Sequence, residues 1–163
     1  MRVFIGISLS NENILALTKL QSELISDGRI TPANNLHLTL VFIGEVNENE
    51  MNLIKQMLDE TKVNKFSFEI TKLKMMRDMV IGEVKENRDL ANLQRNLNLK
   101  LDNLGFKVEE RKYYPHITLS RKSDLRINQE VSLKEDVNTV KLFLSEFTNN
   151  GVVYHSLHSV DLK

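Results

Sequence analysis

The chain has no cysteine, no excess charge of either sign and no long apolar run. Each shortage excludes something. Without cysteine there are no disulfides and no thiolate metal sites, and the composition is compatible with a reducing cytoplasm. Lys plus Arg equals Asp plus Glu at 22 each, so no global positive field holds a long nucleic acid, and an anionic ligand must be met locally. No stretch approaches the roughly 18 apolar residues of a membrane span. The first apolar run, Val3 to Leu9, is short, alternates in bulk and leads into Ser10-Asn11-Glu12-Asn13. It reads as a strand rather than a signal peptide, and a cytoplasmic protein is expected. At 163 residues, 41% hydrophobic and 27% charged, the chain can bury a core of its own. One two-lobed domain over residues 1–163 is expected, as a monomer.

What is present has an order that repeats. Residues 2–8 form a strand by their alternation, and Ile14, Leu17, Leu20 and Leu24 predict a helix over 11–26 that stops at Asp27-Gly28. A strand over 36–43, a helix over 48–60 and a strand near 66–70 follow, with a turn at Arg77-Asp78. Then a strand at 79–84, a helix from 88 to 104 stopped by Gly105, and a strand over 113–120 restate the opening. The polar stretch 122–136 reads as a mobile loop. Val140, Leu142 and Leu144 mark another strand, and Asn149-Asn150-Gly151 turns the chain into a last one over 152–160.

The two units carry the same signature at matching places: HLTL from His37 and HITL from His116. Two of four histidines would acquire Thr at +2 and Leu at +3 by chance in roughly a few cases per ten thousand. With 33 positions from Phe4 to His37 and 35 from Ile81 to His116, the pattern is that of an internal duplication. In a regular strand His37, Thr39, Val41 and Ile43 share one face, and His116, Thr118 and Ser120 share another. Packed about an approximate two-fold axis, the two faces bring two imidazoles and two hydroxyls to one cleft. Imidazole alone donates or accepts a proton near neutrality without a shifted pKa. One protonated and one neutral imidazole form an acid-base couple suited to in-line displacement at phosphorus, with threonine hydroxyls on the non-bridging oxygens. His155 and His158, three apart in a strand, fall on opposite faces and are read as structural or exposed. The charges from Lys107 to Lys112 read as a solvated approach to the second motif, with contact of Arg111 and Lys112 with an RNA backbone as the alternative.

These residues resemble the RNA 2',3'-cyclic phosphodiesterases, or 2'-5' RNA ligase-like proteins, of the two-histidine phosphoesterase superfamily. VFIGISLS matches the opening strand, DGRITPANNLHLTLVFIGEV the first motif block, NLGFKVEERKYYPHITLSR the second and FLSEFTNNGVVYHSL the closing hairpin. Ile30 and Val41 depart from the family's usual residues at their positions. The resemblance implies an α+β fold with two pseudo-symmetric lobes of antiparallel sheet and flanking helices around a central cleft. It implies hydrolysis of a terminal 2',3'-cyclic phosphate on RNA or a nucleotide to a 2'-phosphomonoester, without metal or cofactor. His37 would be the proton donor, His116 the proton acceptor, and Thr39 and Thr118 the phosphate ligands. Arg121 would contact phosphate, which requires its strand to bulge, twist or end near Ser120, because strict alternation places it opposite His116. Tyr113 is placed either to stack on a nucleobase or to pack against its lobe, and Phe4 either to do the same or to join the core. Action on a 2'-5' linkage and a non-catalytic RNA-end binding role remain open alternatives.

Overall fold

The computed structural model describes all residues from Met1 to Lys163. Three helices form where apolar stripes meet capping side chains. α1 (Asn11–Leu24) starts at Ser10, whose hydroxyl accepts from the Asn13 N–H. α2 (Glu48–Asp59) opens on a reciprocal capping box between Asn47 and Glu50, and the Asn87 side chain caps α3 (Arg88–Asn103). In α3 Leu90, Leu93, Leu97 and Leu101 are all buried, and Gly105, at φ +93°, ends the run in the left-handed conformation expected of a helix stop.

The strands are β1 (Arg2–Ser8), β2 (Arg29–Ile30), β3 (His37–Glu45), β4 (Phe66–Met76), β5 (Met79–Val84), β6 (His116–Arg121), β7 (Asn128–Val137), β8 (Thr139–Thr148) and β9 (Gly151–Asp161). They form two sheets, ordered β3-β1-β8-β9 and β2-β6-β5-β4-β7, with every pairing antiparallel. The repeat is visible in these orders: β3-β1-β8-β9 corresponds to β6-β5-β4-β7. Each sheet holds one histidine strand, and each borrows two strands from the other half of the sequence, β8 and β9 in the first and β2 and β4 in the second. β4 leaves the first unit to pair with β5, and β8 leaves the second to pair with β1. One cluster of 30 buried apolar residues runs beneath both sheets.

The bilobal α+β expectation is met. Three local expectations are corrected. Residues 122–136 are not simply a loop, because β7 occupies 128–137. Val131 and Leu133 pack on the core and Glu135 and Val137 are buried, a period-two pattern hidden by the charges between them. The strand expected from 113 begins at His116, and the strand expected to end at 70 continues to Met76. No helix is long and apolar enough to cross a membrane.

Candidate active site

Both His-x-Thr strands contain a β-bulge at the same motif position. Between β1 and β3 the register runs Ile5↔Val41 and then Gly6↔Thr39, so Leu40 has no partner of its own. Between β5 and β6 it runs Val80↔Ser120 and then Ile81↔Thr118, leaving Leu119 as the extra residue. A bulge puts the strand beyond it one residue out of step. Val41, expected beside His37, therefore turns into the core at 3% exposure, while Phe42 emerges at 42%. Ser120, expected beside His116, is fully buried in the same way. Arg121 rotates to the His116 side, which is the condition its role required.

Gly6, paired with Thr39, allows β1 to lie close under the first motif. A Cβ there would stand 2.8 Å from the Leu38 carbonyl oxygen, closer than real contacts allow.

A carbonyl at each bulge is held by a side chain from the other half of the sequence. Tyr113 donates its hydroxyl to the Thr39 carbonyl at 2.7 Å. Gln21, 4% exposed, donates Nε2 to the Leu119 and Thr31 carbonyls, both at 3.0 Å. Of the two roles open to Tyr113, packing is the one observed: its ring lies against the core and burial pushes its hydroxyl pKa well up. The aromatic beside the second histidine is Tyr114, exposed, with its ring 5.8 Å from that of His116.

The two imidazoles are fixed by the same device. His37 Nδ1 lies 2.7 Å from the carbonyl of Asn35, and His116 Nδ1 lies 2.8 Å from the carbonyl of Tyr114, each two residues upstream. A carbonyl only accepts, so Nδ1 carries hydrogen in both rings and Nε2 is left as the working nitrogen. Asn35 is itself buried and donates to the Val152 carbonyl, which ties the first motif to the β8–β9 hairpin. His37 Nε2 is 2.8 Å from the Thr39 hydroxyl, which donates to the neutral ring.

The surroundings of the histidines differ. His37 sits among Phe4, Phe143 and Tyr154, with ring centroids 4.9, 6.2 and 4.9 Å away. Burial there lowers its pKa, the hydrogen bond to Asn35 opposes this, and the charges of His116 and Arg121 lower it further. The strands that carry the two motifs, β3 and β6, pack against each other. Phe4 is buried outside the main core, stacked on Phe143, and forms the wall behind His37. Beside His116 in the β5 register stands Glu83, whose carboxylate is 3.3 Å from Lys74 Nζ. No third His, Asp or Glu converges with the histidines into a metal-ligating group. His155 and His158 pair with Glu146 and Asp59 at 2.8 and 2.7 Å. Sequence reasoning missed Tyr114, Phe143, Tyr154 and Gln21. Tyr114 stood next to a highlighted residue, whereas the others carry no local signal.

A model of the LigT like Phosphoesterase family matches this sequence twice, over residues 7–80 and 81–154, one His-x-Thr motif in each copy. The chain belongs to the LigT-like phosphoesterase family. The double match is also what the repeated strand order leads one to expect of a duplicated LigT-like unit. Its relatives include the RNA 2',3'-cyclic phosphodiesterase of Methanocaldococcus jannaschii, 28% identical over 94% of this chain and 96% of that protein. The RNA 2',3'-cyclic phosphodiesterase of Thermotoga maritima is 29% identical over 97% and 94%. Among solved structures, E. coli LigT complexed with 3'-AMP superimposes with a TM-score of 0.90 at 25% identity, covering 99% of this chain and 98% of LigT.

Proposed function

We propose that this LigT-like phosphoesterase opens terminal 2',3'-cyclic phosphates on RNA or nucleotides, leaving a 2'-phosphomonoester and a free 3'-hydroxyl, by two-histidine acid-base catalysis without a metal. The observation that carries the reading is the pair of imidazoles, fixed in one tautomer by equivalent carbonyls and presenting Nε2 from two halves of one duplicated fold. The names of the curated relatives support the substrate class. A single binding site for phosphate has no need of two proton carriers.

In the reaction, water attacks phosphorus and gives its proton to Nε2 of His116. The P–O3' bond breaks, and Nε2 of His37 protonates the departing oxygen. In the free protein His37 favours its neutral form. The anionic phosphodiester supplies the nearby negative charge that favours imidazolium, so the substrate restores the proton that it later receives. Once His37 is protonated it no longer accepts from Thr39, whose hydroxyl is released to donate to a phosphate oxygen alongside Thr118 and Arg121.

The test is phosphorus NMR of a 2',3'-cyclic nucleotide and a short cyclic-ended RNA incubated with the protein in excess EDTA. A 2'-monophosphate is expected from both. A 3'-monophosphate, or turnover only after a divalent metal is restored, contradicts the reading.

A further inference from the structure

On the second sheet, a groove of about 470 Å³ is lined by Lys72, Lys74, Met75, Arg126, Ile127 and Asn128. Its link to His116 is direct. Lys74 Nζ lies 5.5 Å from the centre of the Tyr114 ring, and that ring lies 5.8 Å from His116. Register explains the continuity: Glu83 is opposite His116, Lys72 is opposite Glu83, Lys74 is opposite Ile81, and Asn128 is opposite Lys74. Directly opposed residues in an antiparallel sheet share a face, so these strands carry the histidine face outward from β6 to β7.

The charge on this part of the molecule is not that of the whole. Lys72, Lys74 and Arg126 lie on one side of His116, and Arg121 with its register partner Arg29 on the other. Glu83 and Glu130 both stand opposite Lys72, one on each flanking strand, and Glu83 pairs with Lys74 at 3.3 Å. Of these five cations only Lys74 is ion-paired, with Glu83, in a chain whose formal net charge is zero. The first sheet presents the aromatic cluster of Phe4, Phe143 and Tyr154 instead.

Strand spacing decides what the groove can hold. At about 4.8 Å per strand, β4 lies about 10 Å and β7 about 14 Å from β6 along the sheet. A mononucleotide with its only phosphate between the histidines cannot place negative charge there, but a strand extending 5' from the same terminal nucleotide can. We infer that the Lys72–Lys74–Arg126 groove is a binding site for backbone phosphates of single-stranded RNA upstream of the cyclic end, so that the preferred substrate is an oligonucleotide. The inference rests on the proposed reading of the histidine cleft for its direction, and on the groove itself for the contact.

Two measurements separate the inference from that reading. In the first, kcat/KM is compared for a 2',3'-cyclic mononucleotide and a cyclic-ended hexanucleotide, in wild type and in a Lys72→Ala/Arg126→Ala variant, over a series of salt concentrations. The variant should turn over the mononucleotide as wild type does and lose about tenfold or more on the hexanucleotide at 0.1 M salt. Its salt slope should fall by about 1.4, two contacts at about 0.7 each. Equal rates on the hexanucleotide, or equal losses on both substrates, overturn the groove. In the second, fluorescence anisotropy measures binding of the labelled hexanucleotide without any turnover. If neither substrate is hydrolysed, the catalytic reading fails while loss of hexanucleotide binding in the variant still supports the groove. A poly-glutamate peptide of matched charge that competes equally overturns its assignment to RNA.

Discussion

Burial lowers the proton affinity of His37 before any substrate arrives, and the positive charges of His116 and Arg121 act in the same direction. The consequence is measurable. A reaction needing His37 protonated and His116 neutral gives a bell-shaped kcat/KM profile, whose two apparent pKa values belong to the pair. Arg121→Gln removes a charge that disfavours imidazolium, so the His37 titration followed by NMR should move to higher pH. An unmoved or lowered titration would separate Arg121 from His37. At this scale the sequence was most informative where chemistry is written in side-chain identity: His37, Thr39, His116 and Thr118 were legible as a set from their spacing alone. Tyr113 and Tyr114 show the limit, since two adjacent tyrosines offer no clue to which one is buried against the core and which stands beside the histidine.

The elements that position these residues are two bulged strands, and the bulges were legible only as a requirement. Arg121 could reach the cleft only if β6 departed from strict alternation, and it does so at Leu119; the matching bulge at Leu40 had no such forewarning and moved Val41 into the core. A bulge changes pairing without changing composition, so periodicity cannot reveal it. β7 was missed for a related reason: charged residues on its open face mask the alternation of Val131, Leu133, Glu135 and Val137. Gln21 is the element-scale test. Gln21→Leu fills similar volume but removes both donors to the Thr31 and Leu119 carbonyls, and should cost about 1–3 kcal/mol in denaturant unfolding. Because that segment sets Thr118 and Arg121, kcat should fall as well, with Gln21→Glu failing to restore it, since a carboxylate has no donor for a carbonyl. A stable variant with unchanged kcat would show that the bulge needs no such brace.

At the scale of the whole molecule, duplication and strand exchange act together. The repeated strand-helix-strand order was readable, but the exchange was not, because nothing in β4 or β8 states which half it will pair with. β4 completes the sheet of the second motif and β8 that of the first, so neither half can complete its own sheet. The expected result is a single cooperative unfolding transition, coincident by far-UV circular dichroism and by a probe in either lobe. Separate expression of residues 1–78 and 79–163 should give no folded half, and an independently folded half would contradict the exchange as the organising feature. The two motif strands, one from each half, pack against each other, and the central claim is that the two motifs act on one phosphate. The most direct measurement is kcat/KM of His37→Ala and of His116→Ala on a 2',3'-cyclic substrate, with folding of each variant verified. A loss of about 100-fold to 10,000-fold in each, the worth of a positioned general acid or base, is predicted; near-normal turnover in either folded variant would contradict the account.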